Sequence, residues 1–294
     1  MRTLLICNFA YRQFDLHSPR MNYPKIHRYG LNKLGRDFVI GDIHGVFDTV
    51  KRGLELIKFN ADVDRVFALG DLINRGRESR QALEFLSLPY VHSIRGNHDS
   101  EFASMQIEEI RQYGSRDRNG MGWVKDVSDD LLIEIRERLF RLPLVIEVQT
   151  ARGLVGLVHA DIPAGTSWPV FMKKIADRDE VATKCALWGR DRLKANDCSG
   201  VEGVGRVYVG HTVQWSGPRR LGNLIAIDTG AVFRESVKGK GALTILNLEC
   251  SSAGFTPRPG ITEEMEFIIR QDAEAGAFRY PPASNKAAFR TSAN

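Results

Sequence analysis

From Arg36 onward, short apolar runs stop abruptly at small polar residues. Phe38-Val39-Ile40 ends at Gly41-Asp42, Val66-Phe67-Ala68-Leu69 at Gly70-Asp71, and Val91-His92-Ser93-Ile94 at Arg95-Gly96-Asn97-His98. Farther along, Leu154-Val155-Gly156-Leu157-Val158 meets His159, Val207-Tyr208-Val209 meets Gly210-His211, and Leu224-Ile225-Ala226-Ile227 meets Asp228. Continuous apolar runs of this length predict strands buried on both faces. Helical patterns lie between several of them, over 46–57, 79–86 and 129–142, the last closed by Pro143. Strands alternating with helices predict an α/β domain. The polar, glycine-punctuated segment 100–125 predicts loops and a helix over one end of the sheet.

The pattern also suggests boundaries. Residues 1–35 are basic, aromatic and irregular, punctuated by Pro19 and Pro24, and read as an N-terminal extension. One domain is expected over 36–250. Residues 251–294, rich in Ser, Ala, Gly and Pro with helix-like content around 263–275, read as a C-terminal extension.

Composition narrows the function classes. The chain has 294 residues, 43% of them hydrophobic, which allows a sizeable core. Its net charge of +5 is spread along the chain and suits an anionic substrate without selecting one. No basic run with interleaved aromatics predicts a specific nucleic-acid partner. No apolar run approaches the roughly 18 residues that span a bilayer, so no membrane partner is expected. The run Leu4-Leu5-Ile6-Cys7 is soon followed by Arg12 and Asp15 with no small-residue cleavage site, and a cytoplasmic location is expected. The four cysteines form no C-x-x-C pair and are expected to be reduced. Any metal must therefore be held by His, Asp and Asn.

Five of the apolar runs supply the candidates, each ending in His, Asp or Asn where a loop begins. Ligands of open α/β sheets bind outside the carboxyl ends of the strands, so residues distant in sequence converge there. The candidates are Asp42, His44, Asp71, Asn97, His98, His159 and His211. Imidazole nitrogens with carboxylate or amide oxygens suit Mn²⁺, Fe or Zn²⁺, and the lack of thiolate argues against a purely structural zinc. One carboxylate such as Asp71 can bridge two cations ~3.5–4 Å apart. A single Asp-x-His such as Asp42-Ile43-His44 is more often a turn than a ligand pair. Five such endings in order carry the argument.

Gly41-Asp42-Ile43-His44-Gly45, Gly70-Asp71-Leu72-Ile73-Asn74-Arg75-Gly76 and Arg95-Gly96-Asn97-His98-Asp99 resemble the GDxHG, GDxVDRG and GNHE signatures of the PPP-family metallophosphatases. Asn119-Gly120-Met121-Gly122-Trp123, His159-Ala160-Asp161-Ile162-Pro163, Leu187-Trp188-Gly189-Arg190-Asp191-Arg192, Gly210-His211-Thr212 and Ile227-Asp228-Thr229-Gly230-Ala231-Val232-Phe233 are similar to elements of the bacteriophage lambda-type and enterobacterial serine/threonine protein phosphatases. The resemblance covers about residues 36 to 249. It implies a metallophosphoesterase-type α/β/β/α sandwich with a dinuclear metal site at strand-end loops, and makes 36–250 the catalytic domain. Asp42, His44 and Asp71 would hold one divalent ion, and Asp71, Asn97, His159 and His211 the other, with Mn²⁺ the expected metal. The implied reaction is direct attack of a metal-bridging hydroxide on a phosphoserine or phosphothreonine protein, phosphotyrosine or a small phosphoester being further substrates. Arg75 and Arg190 would clamp the phosphoryl oxygens, and His98 would protonate the leaving alkoxide.

Two positions depart from the family pattern. Asn74 replaces the usual Asp that orients the acid histidine, and Asp99 replaces the usual Glu. A neutral amide supports an imidazolium less than a carboxylate does, so a weakened acid step or a lowered pH optimum is expected. Symmetrical bis(5'-nucleosyl)-tetraphosphatases also lack that Asp and end their third motif in Asp, which makes diadenosine tetraphosphate the alternative substrate. His159-Ala160-Asp161 and Gly210-His211-Thr212 favour the phosphatases. Of the other polar residues, His92 is expected in the core or at an edge, His17 and His27 at the surface, and Trp188 beneath Arg190.

Overall fold

The computed structural model of the protein describes residues 25–233 and 241–249, and the backbone of two strands beyond them at 266–271 and 278–279. In chain order come β1 (Ile26–Tyr29), β2 (Asp37–Ile40), α1 (Phe47–Leu56), β3 (Arg65–Ala68), α2 (Ala82–Ser87), β4 (Val91–Ser93), α3 (Asn97–Ser104), α4 (Ile107–Ser115) and α5 (Asp129–Phe140). There follow β5 (Val145–Thr150), β6 (Gly153–Val158), α6 (Trp168–Ala176), α7 (Glu180–Trp188), α8 (Asp191–Ala195) and β7 (Arg206–Val209). The remaining strands are β8 (Arg219–Leu221), β9 (Leu224–Ala226), β10 (Leu243–Asn247), β11 (Glu266–Gln271) and β12 (Phe278–Arg279).

Two mixed sheets result, ordered β4-β3-β2-β10-β11-β12 and β1-β5-β6-β7-β9-β8. The neighbours β2, β3 and β4 are parallel, as are β6, β7 and β9. Successive side chains of a strand point to opposite faces, and here both faces are dry. Val39, Phe67, Ile146, Leu157, Tyr208 and Ile225 form the core between the sheets. Phe38, Ile40, Val66 and Ala68 face the other way, into the layer of α1 to α5. Val145, Val158, Val207 and Val209 face α6 and α7 in the same manner. The result is four layers, helix, sheet, sheet and helix.

The helices follow their periodicity. In α5 the Ser128 side chain caps the amide of Leu131, and Leu132, Ile135 and Leu139 form the buried stripe. A fully buried side chain of that kind stabilises by roughly 1.5–3 kcal/mol.

Two boundaries differ from the sequence expectation. The last part of the supposed N-terminal extension belongs to the fold: β1 pairs in parallel with β5 from Ile26↔Val145 to Tyr29↔Val148. Tyr29 packs on Phe67 and His92. Four residues, Ile-His-Arg-Tyr, are too short and too polar to stand out from a basic irregular segment. At the other end β11 pairs antiparallel with β10, where helix-like content was expected. The β-favouring run Phe267-Ile268-Ile269 there continues the sheet at the edge of β10. The expectations for residues 1–24 and for most of 251–294, and hence His17, Cys7 and Cys250, lie outside the described residues. Cys185 and Cys198 are free thiols. No helix among the described residues is long and apolar enough to cross a membrane.

Candidate active site

Each predicted site residue stands just beyond a strand or opens a helix. Asp42 and His44 follow β2, Asp71, Asn74 and Arg75 follow β3, and Asn97 and His98 begin α3 after β4. His159 follows β6, His211 follows β7, and Arg190 caps α8. Five of them hold a left-handed backbone: His44 (φ 46°), Asp71 (47°), Asn74 (73°), Arg75 (69°) and His211 (65°). Such a conformation costs a non-glycine residue about 1–2 kcal/mol. The sharp reversals aim side chains from separate loops at one place. Close approach also needs glycine: a Cβ on Gly96 would lie 2.2 Å from Asp71 Oδ1, and one on Gly210 would lie 2.0 Å from Asp42 Oδ1.

Asp71 is the centre. Its Oδ2 lies 3.4 Å from His44 Nε2 and its Oδ1 lies 3.5 Å from His159 Nε2. Two buried donor groups share it, His44–Asp71–His98 and Asp71–His159–His211, each with its ligand-type atoms within 4.8 Å of one another. Asp42 is in neither triple. Both its oxygens accept the His211 backbone N–H, at 3.1 and 3.0 Å. The Asn97 amide, with its nitrogen on that side, donates to His159 Nε2 at 2.9 Å and to His211 Nδ1 at 2.8 Å. Backbone carbonyls fix two tautomers: His44 Nδ1 donates to Ile73 O at 2.9 Å and His159 Nδ1 to Leu69 O at 2.7 Å. A carbonyl only accepts, so both Nε2 lone pairs are left facing Asp71.

The electrostatics show what this cluster needs. Burial pushes the Asp71 carboxyl up to about 7, against the pull of Arg75 and of the His98 amide. Burial and then the neighbouring Asp228 and Asp71 charges raise Asp42 as well. Burial also holds His98 near 3, His159 near 4 and His211 near 2, so the imidazoles are neutral. His211 Nε2 is buried without a partner. Crowded carboxylates, neutral imidazoles, one amide and no thiolate fit a pair of divalent cations.

His98 is surrounded differently. The Trp123 indole donates to Asn74 Oδ1 at 2.9 Å, and an indole N–H can only donate. The amide is thereby oriented, and its nitrogen faces His98 Nδ1 at 3.2 Å. Arg75 Nη2 faces His98 Nε2 at 3.0 Å. An imidazolium carries hydrogens on both nitrogens and finds an acceptor in neither neighbour. Asp99, the second departure, is structural: its carboxylate accepts the amides of Leu72 and Gly96, both at 2.9 Å, and ties two metal-side loops together.

Arg75 touches the cluster directly at His44 and His98, and the charge of Arg190 is felt at Asp71 and His211. Arg75 also donates to His44 Nε2, its amide is held by Gly120 O at 2.7 Å, and its guanidinium lies over the Phe233 ring at 5.2 Å. Phe233 in turn packs on Trp215, which is 45% exposed at the rim. Arg190 donates to Thr212 Oγ1 at 3.4 Å. Its turn is fixed by Asp161, which accepts the Arg192 amide at 3.1 Å, while the buried Arg192 side chain donates to Ile162 O, Asp197 and Gly200 O. Trp188 stands edge-on to His211 at 6.0 Å. Sequence reasoning assigned no role to Trp123, Phe233, Trp215 or Asp228. Trp123, Phe233 and Asp228 had a signal in the motifs that carry them, and Asp228 also ends a strand as the candidate ligands do, whereas Trp215 had none.

Fold and site together are of the metallophosphoesterase class, a two-sheet sandwich gathering metal-type donors at its strand-end loops. Residues 38–215 match the calcineurin-like phosphoesterase family, and the chain belongs to it. It is 32% identical over 203 residues to serine/threonine-protein phosphatase 1 of Salmonella typhimurium, covering 67% of this chain and 87% of that one. It is 31% identical over 164 residues to the symmetrical bis(5'-nucleosyl)-tetraphosphatase of Methylococcus capsulatus, covering 54% and 55%. A serine/threonine phosphatase structure from Saccharomyces cerevisiae shares the fold with a TM-score of 0.51 at 18% identity, over 76% of this chain and 77% of that one. The protein is therefore a phosphoesterase.

Proposed function

We propose that this phosphoesterase is a metal-dependent serine/threonine protein phosphatase. The observation that carries the reading is the convergence of two guanidiniums, Arg75 and Arg190, on a donor cluster centred on Asp71. A phosphomonoester dianion has three peripheral oxygens and two charges, which planar bidentate donors match. The residues that hold Arg190 in place, Asp161 and Thr212, are also those that favour the phosphatases in the sequence.

Asp42, His44 and Asp71 would hold one cation and Asp71, Asn97, His159 and His211 the other, with Mn²⁺ favoured over Fe or Zn²⁺. Two such ions supply Lewis acidity at the phosphoryl group and make water nucleophilic near neutral pH. Arg75 and Arg190 bind and orient the phosphoryl oxygens. His98 Nε2 lies beside Arg75, and the protonated fraction of His98, an imidazolium, gives its Nε2 hydrogen to the departing oxygen and is left as the neutral imidazole. Asn74, held by Trp123, orients the His98 ring.

A symmetrical tetraphosphatase is the second reading. The donor amide of Asn74 suits a phosphoanhydride, whose leaving group needs little protonation, and the Phe233–Trp215 pair offers a base a surface to stack on. Mn²⁺-loaded protein offered a phosphoserine peptide and diadenosine tetraphosphate side by side separates the two. The expected result is a higher kcat/KM for the phosphopeptide, and a clear preference for the nucleotide overturns the phosphatase reading.

A further inference from the structure

Between α6 and β1 lies a groove of about 750 Å³ that shares no residue with the Asp71 cluster. Trp168, Met172 and Leu154 give it an apolar floor, and Lys25, Arg28, Lys173 and Arg178 give it a cationic rim. The one carboxylate in its wall is already engaged. Glu147 accepts from Arg28 Nε at 2.6 Å and from Trp168 Nε1 at 2.7 Å. Lys173 pairs with Asp177 on the solvent side, but both side chains are largely exposed and such pairs are weak. Lys25 lies half-buried at one end, lowered to about 8 by burial and by the charges of Arg95 and Arg178. The rim is therefore a concentration of positive charge that gains by meeting an anion.

We propose that this groove docks an acidic peptide segment of a partner protein, seating one apolar side chain on the Trp168–Met172 floor and its carboxylates against the rim. Strand β1 is the outermost of its sheet among the described residues, so an extended segment can lie alongside it. Charge argues against other occupants. Residues 1–24 carry Arg2, Arg12 and Arg20 against Asp15, and a second copy of the chain brings a net charge of +5. Docking of this kind, which rests on the phosphatase reading above, binds a phosphoprotein without drawing on the phosphate contacts.

The test is fluorescence anisotropy of a labelled Glu/Asp-rich peptide containing one leucine, titrated with Mn²⁺-loaded full-length protein. Arg28 and Lys173 have side chains 67% and 77% exposed, so the double variant Arg28→Glu/Lys173→Glu is expected to fold and to hydrolyse p-nitrophenyl phosphate normally. Saturable binding weakened about tenfold or more by that variant is the expected result. The control variant Lys51→Glu/Arg80→Glu, which changes the same charge elsewhere, is expected to bind as the parent does. Three results overturn the proposal: no saturable binding, equal loss in both double variants, or equal binding of a Lys-rich peptide of the same length.

Discussion

The environment of His98 makes Asn74→Asp the most informative substitution. In the native chain His98, the proposed acid, has a donor at each nitrogen, the Asn74 amide at 3.2 Å and Arg75 at 3.0 Å. Burial, and then Arg75 and His159, already hold it near 3. A carboxylate at position 74 keeps its contact with the Trp123 indole and accepts from His98 Nδ1. A hydrogen bond to a charged group is worth about 1.5–3 kcal/mol, and about 1.4 kcal/mol corresponds to one pH unit, so the His98 pKa rises by about 1 to 2. The sign follows from the role of the group. A general acid acts while protonated, so activity is lost as pH rises through its pKa, and raising that pKa moves the alkaline limb upward. Above both pKa values the protonated fraction grows tenfold per unit, so kcat for a phosphoserine peptide at neutral pH increases by about 10- to 100-fold until another step limits it. p-Nitrophenolate leaves without a proton, and its rate should barely change. The assay is kcat against pH for both substrates with both proteins. Superimposable phosphoserine profiles would refute the assignment of His98 as the acid and of Asn74 as the group that depresses it. Trp123→Phe is the converse probe: without the indole N–H the amide can turn its oxygen to His98, which should shift the limb in the same direction by less.

Other perturbations test the centre and its supports. Binding of Mn²⁺ must displace the proton that burial holds on Asp71 up to about 7, so affinity measured by calorimetry should tighten about tenfold per pH unit for one proton between roughly pH 5 and 7, then level off; a flat profile sinks this. Gly96→Ala places a methyl 2.2 Å from Asp71 and should cost about 2–4 kcal/mol in thermal unfolding while lowering metal stoichiometry below two. Arg192→Ala leaves Asp161 buried without its guanidinium neighbour and should cost about 3–5 kcal/mol, with a raised KM as the Arg190 turn loosens. An unchanged melting temperature would show that Arg192 is not the prop it resembles.

Much of the site was legible in the chain because local physics writes it there. Runs such as Phe38-Val39-Ile40 are apolar throughout because both faces are covered, and all three residues are fully buried. Each run must end where a ligand-bearing loop leaves the sheet, so Asp42, Asp71, His159 and His211 appear as abrupt polar stops. The misplaced edges failed for an equally physical reason. β1 is four residues long and half polar, and it is a strand because β5 lies beside it, which no local pattern expresses.

The six strand runs that end in polar residues, the helices between several of them and the donor types were set by the sequence, through periodicity and through which atoms can ligate a cation. Only the tertiary structure decided how Asn74 behaves. Its amide is turned by Trp123, forty-nine positions away, so that a donor faces His98 where a carboxylate would accept. Asp228 against Asp42, Asp161 under the Arg190 turn and the cationic groove beside α6 arise in the same way. Hydrogen-bond direction and charge proximity depend on distances between segments, and a chain read one residue at a time does not contain them.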